Sequence, residues 1–259
     1  RQRRGRNILP EFVFHLSCLR LRMRTIRIII CVYELVNHPA EKFSVNIHGV
    51  TTMALLIGEE APDFTAEACT ATGEIVDTFN LHQHIDQRYG VLFFYPMDFT
   101  FVCPSEILAL SNRVDAFHRL NCSIVGVSVD SKWTHNAWRN TVISEGGIGD
   151  INFPLVSDLD RSISTSYGVL AGAGRSYYPK GVSVRATFLI DRERIVRHMV
   201  VNDEPLGRDM DELFRMLQAL QFFEEHGQVC PAGWQSGDSG MINTPSGVAE
   251  YLQTSSTTL

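Results

Sequence analysis

The chain has 259 residues, 44% of them hydrophobic and 20% charged, enough for one large domain with or without appendages. Its formal charge of −6 is unevenly spread: residues 1–52 hold eight Arg and one Lys against three Glu, while the remainder holds 14 basic and 26 acidic residues. So acidic a body argues against nucleic acid as the main partner, because phosphate binding needs a basic face.

The first 52 residues differ in character from the rest. "RQRRGR" is basic, "LRLRMRTIRIIICVYELV" mixes arginines with aliphatics, and the apolar core Ile28–Val32 is too short to span a bilayer. Two readings stay open: an Arg-rich, acid-poor organelle transit peptide, or upstream sequence translated in frame before a true start at Met53. We favour the second, because "MALLIGEEAPDF" reads as the beginning of a domain. The expected location is cytoplasmic, or an organelle if the leader is a transit peptide.

From Met53 the elements follow in order. "GVLFFY" (90–95) is a continuous apolar run, which suits a strand buried on both faces. Residues 104–120 read as one helix: Pro104 fits its first turn, and Ile107, Leu110, Val114 and Phe117 fall on one face. "CSIVGVSVD" (122–130) is a second strand, 131–143 a helix, and "FPLVSD" (153–158) a short strand. "RATFLID" (185–191) and "RIVRHMVV" (194–201) form a hairpin around Arg192-Glu193. Residues 207–226 form an amphipathic helix through Met210, Leu213, Phe214, Leu217 and Leu220. After His226 the composition turns polar and Gly/Ser-rich, which predicts a loosely packed tail. Alternating strands and helices with a late hairpin mean an α/β sandwich with a mixed central sheet.

Six cysteines occur, at 18, 31, 69, 103, 122 and 230, and no two form C-x-x-C. Zinc ribbons and local dithiol motifs are therefore unsupported, and a chain this large and Cys-poor is no disulfide-stapled scaffold. Cys122 opens a buried strand and reads as core. Cys103 lies where a buried strand gives way to a helix. Helix N-terminal amides stabilise an anion, and the thiolate is the reactive form of cysteine. Thr100 can donate to the sulfur, and Pro96 can shield it from bulk water. A lone cysteine is equally a small buried hydrophobe, so the residues alone leave both readings open.

Pro96, Thr100 and Cys103 stand as P-x-x-x-T-x-x-C within "FFYPMDFTFVCPSE". This string resembles the signature of typical 2-Cys peroxiredoxins, a class that includes the peroxidatic subunits of bacterial alkyl hydroperoxide reductases. The resemblance continues through "GVSVDSKWTHNAW", "GGIG", "RATFLID", "VNDEPLGR" and "EEHGQVCPAGW", and covers nearly everything from Met53 onward. It implies a thioredoxin-like fold, with Thr100 standing where a thioredoxin has the first cysteine of its C-x-x-C. Residues 53–226 would form the peroxidase domain and 227–259 a C-terminal arm.

The resemblance also implies a mechanism. Cys103 would attack the peroxide and become a sulfenic acid, Thr100 would hold the peroxide, and Arg185 would stabilise thiolate and leaving oxygen. Glu106 and Arg208 would orient Arg185. Cys230 would be the resolving cysteine, closing an intersubunit disulfide in a homodimer, with dimers assembling into rings. No flavin, nicotinamide, Walker A or metal-ligand pattern is visible, so no cofactor is expected. Electrons would come from a thioredoxin-like or flavoprotein disulfide reductase, and neither nucleic acid nor membrane is an expected partner. A redox-switched, chaperone-like ring is the alternative function.

Three features depart from the pattern. Fourteen residues separate Leu170 from Arg185, an enlarged loop beside the expected catalytic arginine. The Tyr-Phe pair that accompanies a G-G-L-G loop in easily overoxidised members stands here as Tyr251-Leu252, with Gly146-Gly147-Ile148-Gly149. The leader has no counterpart in the bacterial subunits.

Overall fold

The structure is a computed structural model and describes residues 55–257 apart from 173 and 175. The leader assigned to 1–52, the start at Met53, and Cys18 and Cys31 lie outside the described residues. The described chain opens with a hairpin, β1 (Thr65–Cys69) and β2 (Ile75–Asn80), and a one-turn helix, α1 (Leu81–His84). Next come β3 (Tyr89–Phe94), α2 (Cys103–Ser111), α3 (Val114–Arg119), β4 (Cys122–Ser128), α4 (Lys132–Asn140), β5 (Leu155–Ser157) and α5 (Ser162–Ser166). A second hairpin, β6 (Arg185–Ile190) and β7 (Val196–Asn202), precedes the long helix α6 (Met210–His226) and the terminal helix α7 (Pro245–Ser255).

One seven-stranded sheet runs in the order β2-β1-β5-β4-β3-β6-β7. β3, β4 and β5 pair in parallel, and the remaining pairings are antiparallel, so the sheet is mixed, as expected. Every residue of β3, β4 and β6 is buried, because helices cover both faces and leave no polar side to the central strands. Alternate residues of β3 face opposite ways. Val91 and Phe93 pack with α2, α3 and α6 through Ile107, Leu110, Phe117, Leu213 and Leu217. Leu92 and Phe94 pack on the other face with Leu81, Ile163, Tyr167 and Phe188.

The helix expected over 104–120 is two helices. Asn112 and Arg113 break it, although Ile107, Leu110, Val114 and Phe117 all reach the same core as their spacing predicts. Arg113 holds the break: its Nε and Nη2 donate to the Asp211 carboxylate at 2.6 and 2.8 Å, and its Nη1 donates to the Ala109 carbonyl at 3.0 Å. That last bond satisfies one of the carbonyls left open at a helix C-terminus.

The tail is tied down in its first part, 229–241, whereas α7 beyond it is mostly exposed and buries only Gly247. Val229 and Met241 exchange backbone hydrogen bonds at 2.9 and 2.8 Å. Trp234 is buried, with its ring 4.9 Å from that of Phe222. Arg215 reaches from α6 to donate to the Trp234 carbonyl at 2.7 Å. α7 starts on Thr244, whose hydroxyl accepts the Gly247 amide, an N-cap with Pro245 at the first helical position. On α7 Tyr251 is half-buried and Leu252 is exposed.

Candidate active site

β3 delivers the chain to the site and a rigid loop turns it. Pro96 is buried two residues beyond the end of β3. The Asp98 carboxylate accepts from the Tyr95 hydroxyl at 2.8 Å and lies 2.7 Å from Nδ1 of the fully buried His135, while its amide donates to Asp130 at 2.9 Å. Burial raises the Asp98 pKa against the opposing pull of His135. Phe99 adopts the left-handed region, φ 55°, and the loop then enters α2 at its first residue, Cys103.

The Cys103 side chain is fully buried. Hydrogen bonds to its sulfur come from Thr100 Oγ1 at 2.8 Å and Arg185 Nη1 at 3.3 Å, not from first-turn amides as its place at a helix start suggests. Thr100 Oγ1 is also 2.8 Å from the Met97 carbonyl. One hydroxyl proton cannot serve both acceptors. With a thiol at 103 the hydroxyl can donate to Met97 and accept from S–H; with a thiolate it can turn its proton to the sulfur.

Arg185 is the first residue of β6 and has no solvent exposure. Its Nη1 also donates to Glu106 Oε2 at 3.0 Å, its Nε to the Glu204 carbonyl at 2.7 Å, and its Nη2 lies 3.4 Å from the Glu204 carboxylate. Burial disfavours the guanidinium charge, but the Cys103 sulfur and Glu106 outweigh it and raise the Arg185 pKa. Arg208 lies 5.6 Å over the Phe93 ring and grips the same carboxylate. Its backbone N–H and Nε donate to Glu106 Oε1, and its Nη2 to Oε2, all at 2.8 Å. Arg208 Nη1 is spent on the Ala186 carbonyl and the Thr187 hydroxyl. Burial works to raise the Glu106 pKa, yet the bonds and charge of Arg208, with Arg185 behind it, hold it below the usual value. A buried carboxylate thus locks one arginine against β6 and aims the other at a sulfur.

Cys103, Thr100, Arg185, Glu106 and Arg208 therefore meet in one constellation. Cys230 does not join it. Its thiol donates to the Ala219 carbonyl at 3.4 Å, and it lines a cavity of about 270 Å³ with Leu189, His198, Met216 and Phe223. Burial raises its pKa, partly offset by Arg215. Cys69, Cys103, Cys122 and Cys230 are all free thiols, and burial pushes the Cys122 thiol far up, in keeping with core. Sequence reasoning missed Glu204, although it lies inside the quoted "VNDEPLGR", because its shorter bond to Arg185 runs through the backbone carbonyl. Tyr178, whose hydroxyl accepts the Arg185 backbone amide at 2.7 Å, was missed as well. Among the described residues no group of three or more His, Cys, Asp or Glu could hold a metal ion, and no helix is long and apolar enough to cross a membrane.

Residues 57–199 match the family model described as AhpC/TSA family, and residues 219–254 match that of the C-terminal domain of 1-Cys peroxiredoxin. Alkyl hydroperoxide reductase C of Helicobacter pylori strain J99 is 48% identical over 202 residues, covering 78% of this chain and 98% of that protein. Peroxiredoxin-2 of Cricetulus griseus is 50% identical over 199 residues, covering 76% and 94%. Among solved structures, the reduced 2-Cys peroxiredoxin of Plasmodium vivax aligns with a TM-score of 0.72 at 47% identity, covering 78% of this chain and all of that one.

Proposed function

The chain belongs to the AhpC/TSA family of peroxiredoxins, thiol-dependent peroxidases with a thioredoxin-like fold, and from that premise we propose how its own residues carry the reaction. Cys103 as thiolate attacks the terminal oxygen of hydrogen peroxide or a small organic hydroperoxide. The S–O bond forms as the O–O bond breaks, and the departing oxygen leaves as water or an alcohol once it takes up a proton. Negative charge passes from sulfur to the leaving oxygen along the line that Arg185 Nη1 already faces. A donor fixed before the reaction stabilises that charge without reorganising. Thr100 holds the peroxide, and Glu106 and Arg208 keep Arg185 in place.

The sulfenic acid is then resolved by Cys230 of the partner subunit. Its thiolate attacks the Cys103 sulfur, hydroxide leaves as water, and an intersubunit disulfide forms. Two electrons from a thioredoxin-like or flavoprotein disulfide reductase restore both thiols. The active unit is therefore a homodimer, with dimers assembling into a ring. The observation that carries this reading is the fully buried Cys103 sulfur held between the Thr100 hydroxyl and the Arg185 guanidinium.

The test is a peroxide titration of the purified protein followed by a non-reducing gel. Wild type should run as a covalent dimer and consume peroxide with a dithiol donor. Cys230→Ser should lose the dimer band yet trap a dimedone adduct on Cys103, and Cys103→Ser should do neither. Oxidised wild type that stays monomeric on the gel would refute the intersubunit step. Absence of turnover with every dithiol donor would refute the peroxidase reading of Cys103.

A further inference from the structure

Hydrogen bonds join the two ends of the connection between Leu170 and Arg185. Ala171 N–H donates to the Val182 carbonyl at 2.8 Å, Gly181 N–H to that of Ala171 at 2.9 Å, and Val184 N–H to that of Val169 at 2.8 Å. Gly181 turns the chain at φ 84°. On this frame the Tyr178 ring is buried with Val129, Ala171 and Val182, in a small cluster that also takes in Met97 of the loop before Cys103.

The Tyr178 hydroxyl does two things at once. It accepts the Arg185 backbone N–H at 2.7 Å and donates to the Asn202 carbonyl at 2.7 Å. Arg185 and Asn202 face each other in the register of β6 and β7. The phenol therefore stands between the two strands at the end of their ladder, where it bridges one strand's amide to the other's carbonyl. From this rung the Arg185 side chain leaves for the Cys103 sulfur. The same loop is tied once more: Ser176 Oγ donates to Asp203 at 2.5 Å, next to Glu204, whose carbonyl accepts Arg185 Nε. The loop thus touches the Arg185 backbone directly through Tyr178 and reaches the neighbour of Glu204 through Ser176, while Glu106 holds the guanidinium from α2. Burial, opposed in part by Arg185, pushes the Tyr178 phenol up to about 12. It stays neutral at physiological pH and keeps both its donor and its acceptor role.

We propose that Tyr178 is a positioning residue for the peroxidase reaction: its hydroxyl fixes the backbone of Arg185, and the long loop serves to deliver that hydroxyl. The proposal rests on the reading of Arg185 as the group that stabilises charge on sulfur and leaving oxygen. Tyr178 itself touches neither peroxide nor thiol.

The experiment is a double-mutant cycle between Tyr178→Phe and Arg185→Lys, run on full-length reduced protein. The readouts are the single-turnover rate of Cys103 oxidation by hydrogen peroxide, the ultraviolet titration of its thiolate, and the melting temperature. Tyr178→Phe should slow oxidation on the order of 5–10-fold, the consequence of a barrier raised by about one hydrogen bond, and should move the thiolate titration upward. In the Arg185→Lys background the same change should alter the rate by less than about 2-fold. A purely structural tyrosine would lower the melting temperature equally in both backgrounds and leave the titration in place. A wild-type rate in folded Tyr178→Phe overturns the proposal, as does an equal loss in both backgrounds. Should Tyr178→Phe not fold, Tyr178→Met, which keeps an apolar side chain in the cluster and also lacks the hydroxyl, carries the same cycle under the same criteria. Arg185→Lys alone separates the two readings: if it leaves the rate unchanged, it is the role of Arg185 that fails.

Discussion

Replacing Glu106 by Gln changes almost no volume and removes one charge from beneath two buried guanidinium groups. The native carboxylate accepts four bonds: two on Oε1 from Arg208, and on Oε2 one from Arg208 and one from Arg185. An amide offers one oxygen and one NH₂, so whichever way it turns, one pair of donors faces another donor. At least two charge-assisted bonds are lost. Each is worth about 1.5–3 kcal/mol, so the variant should lose roughly 3–6 kcal/mol. For a domain of this size that is a fall in melting temperature of roughly 6–24 °C, read by calorimetry at fixed protein concentration, since association shifts apparent stability. Where the NH₂ takes the place of Oε2, Arg185 also loses its tether on the sulfur side, so peroxide oxidation of Cys103 should slow by up to roughly 10-fold, about 1.4 kcal/mol of barrier. A variant that melts within about 2 °C of wild type and reacts with peroxide at the wild-type rate would show that this carboxylate neither anchors the fold nor sets the arginine.

The same carboxylate predicts a pH dependence. Its folded pKa is depressed, so its stabilisation is fully present above the unfolded value of about 4.3 and is lost as pH falls through the folded value. The stability gap between wild type and Glu106→Gln should therefore close on acidification. Urea melts at several pH values would measure it, and a gap that widens below that range would contradict the sign. Thr100→Val keeps the shape and removes the hydroxyl beside the sulfur; stopped-flow oxidation should slow on the order of 10²-fold with little change in melting temperature, and a wild-type rate would remove Thr100 from the mechanism. Gly147→Ala would place a methyl carbon 1.9 Å from the Thr141 carbonyl oxygen, closer than any real contact. It should lower the melting temperature by roughly 5 °C or more, and an unchanged melt would mean the turn runs elsewhere.

Much of this molecule is written where burial is complete. β3 and β4 are apolar throughout because helices cover both faces, and that signal survives in a single sequence. β1 and β2 went unread because they form the hairpin at one end of the sheet: "TAEAC" and "IVDTFN" leave much of their surface exposed and carry polar residues that mask the strand period. The break between α2 and α3 is invisible to periodicity, since Val114 and Phe117 face the same core as Ile107 and Leu110. What marks it is Arg113 meeting Asp211 from 98 positions away. α7 had a readable start in Thr244-Pro245, outweighed by the Gly and Ser around it. The sequence placed Cys103, Thr100, Glu106, Arg185 and Arg208 through a long motif match, and the structure brings them together. Tyr178 was out of reach because nothing in "GRSYYPKG" says which tyrosine turns inward or that its hydroxyl bridges two strands.

The split between α2 and α3 has a further consequence. In the proposed reaction a second protein thiol must meet a sulfur that has no solvent exposure, and it would reach that sulfur only after the start of α2 opens. In one continuous helix that opening would fray a rod extending to residue 120. Here the rod is already cut. Arg113, clamped to Asp211 and to the last turn of α2, acts as a firebreak: α3, with Phe117 wedged edge-on against Phe214, can stay docked while the nine residues of α2 come loose. Small cooperative units of this kind open at a fraction of the cost of global unfolding. The lifetime of an oxidised Cys103 would then be set by the stability of one short helix, and substitutions at α2 positions other than Cys103 and Glu106, such as Ala109 or Ser111, would tune it without touching the chemistry.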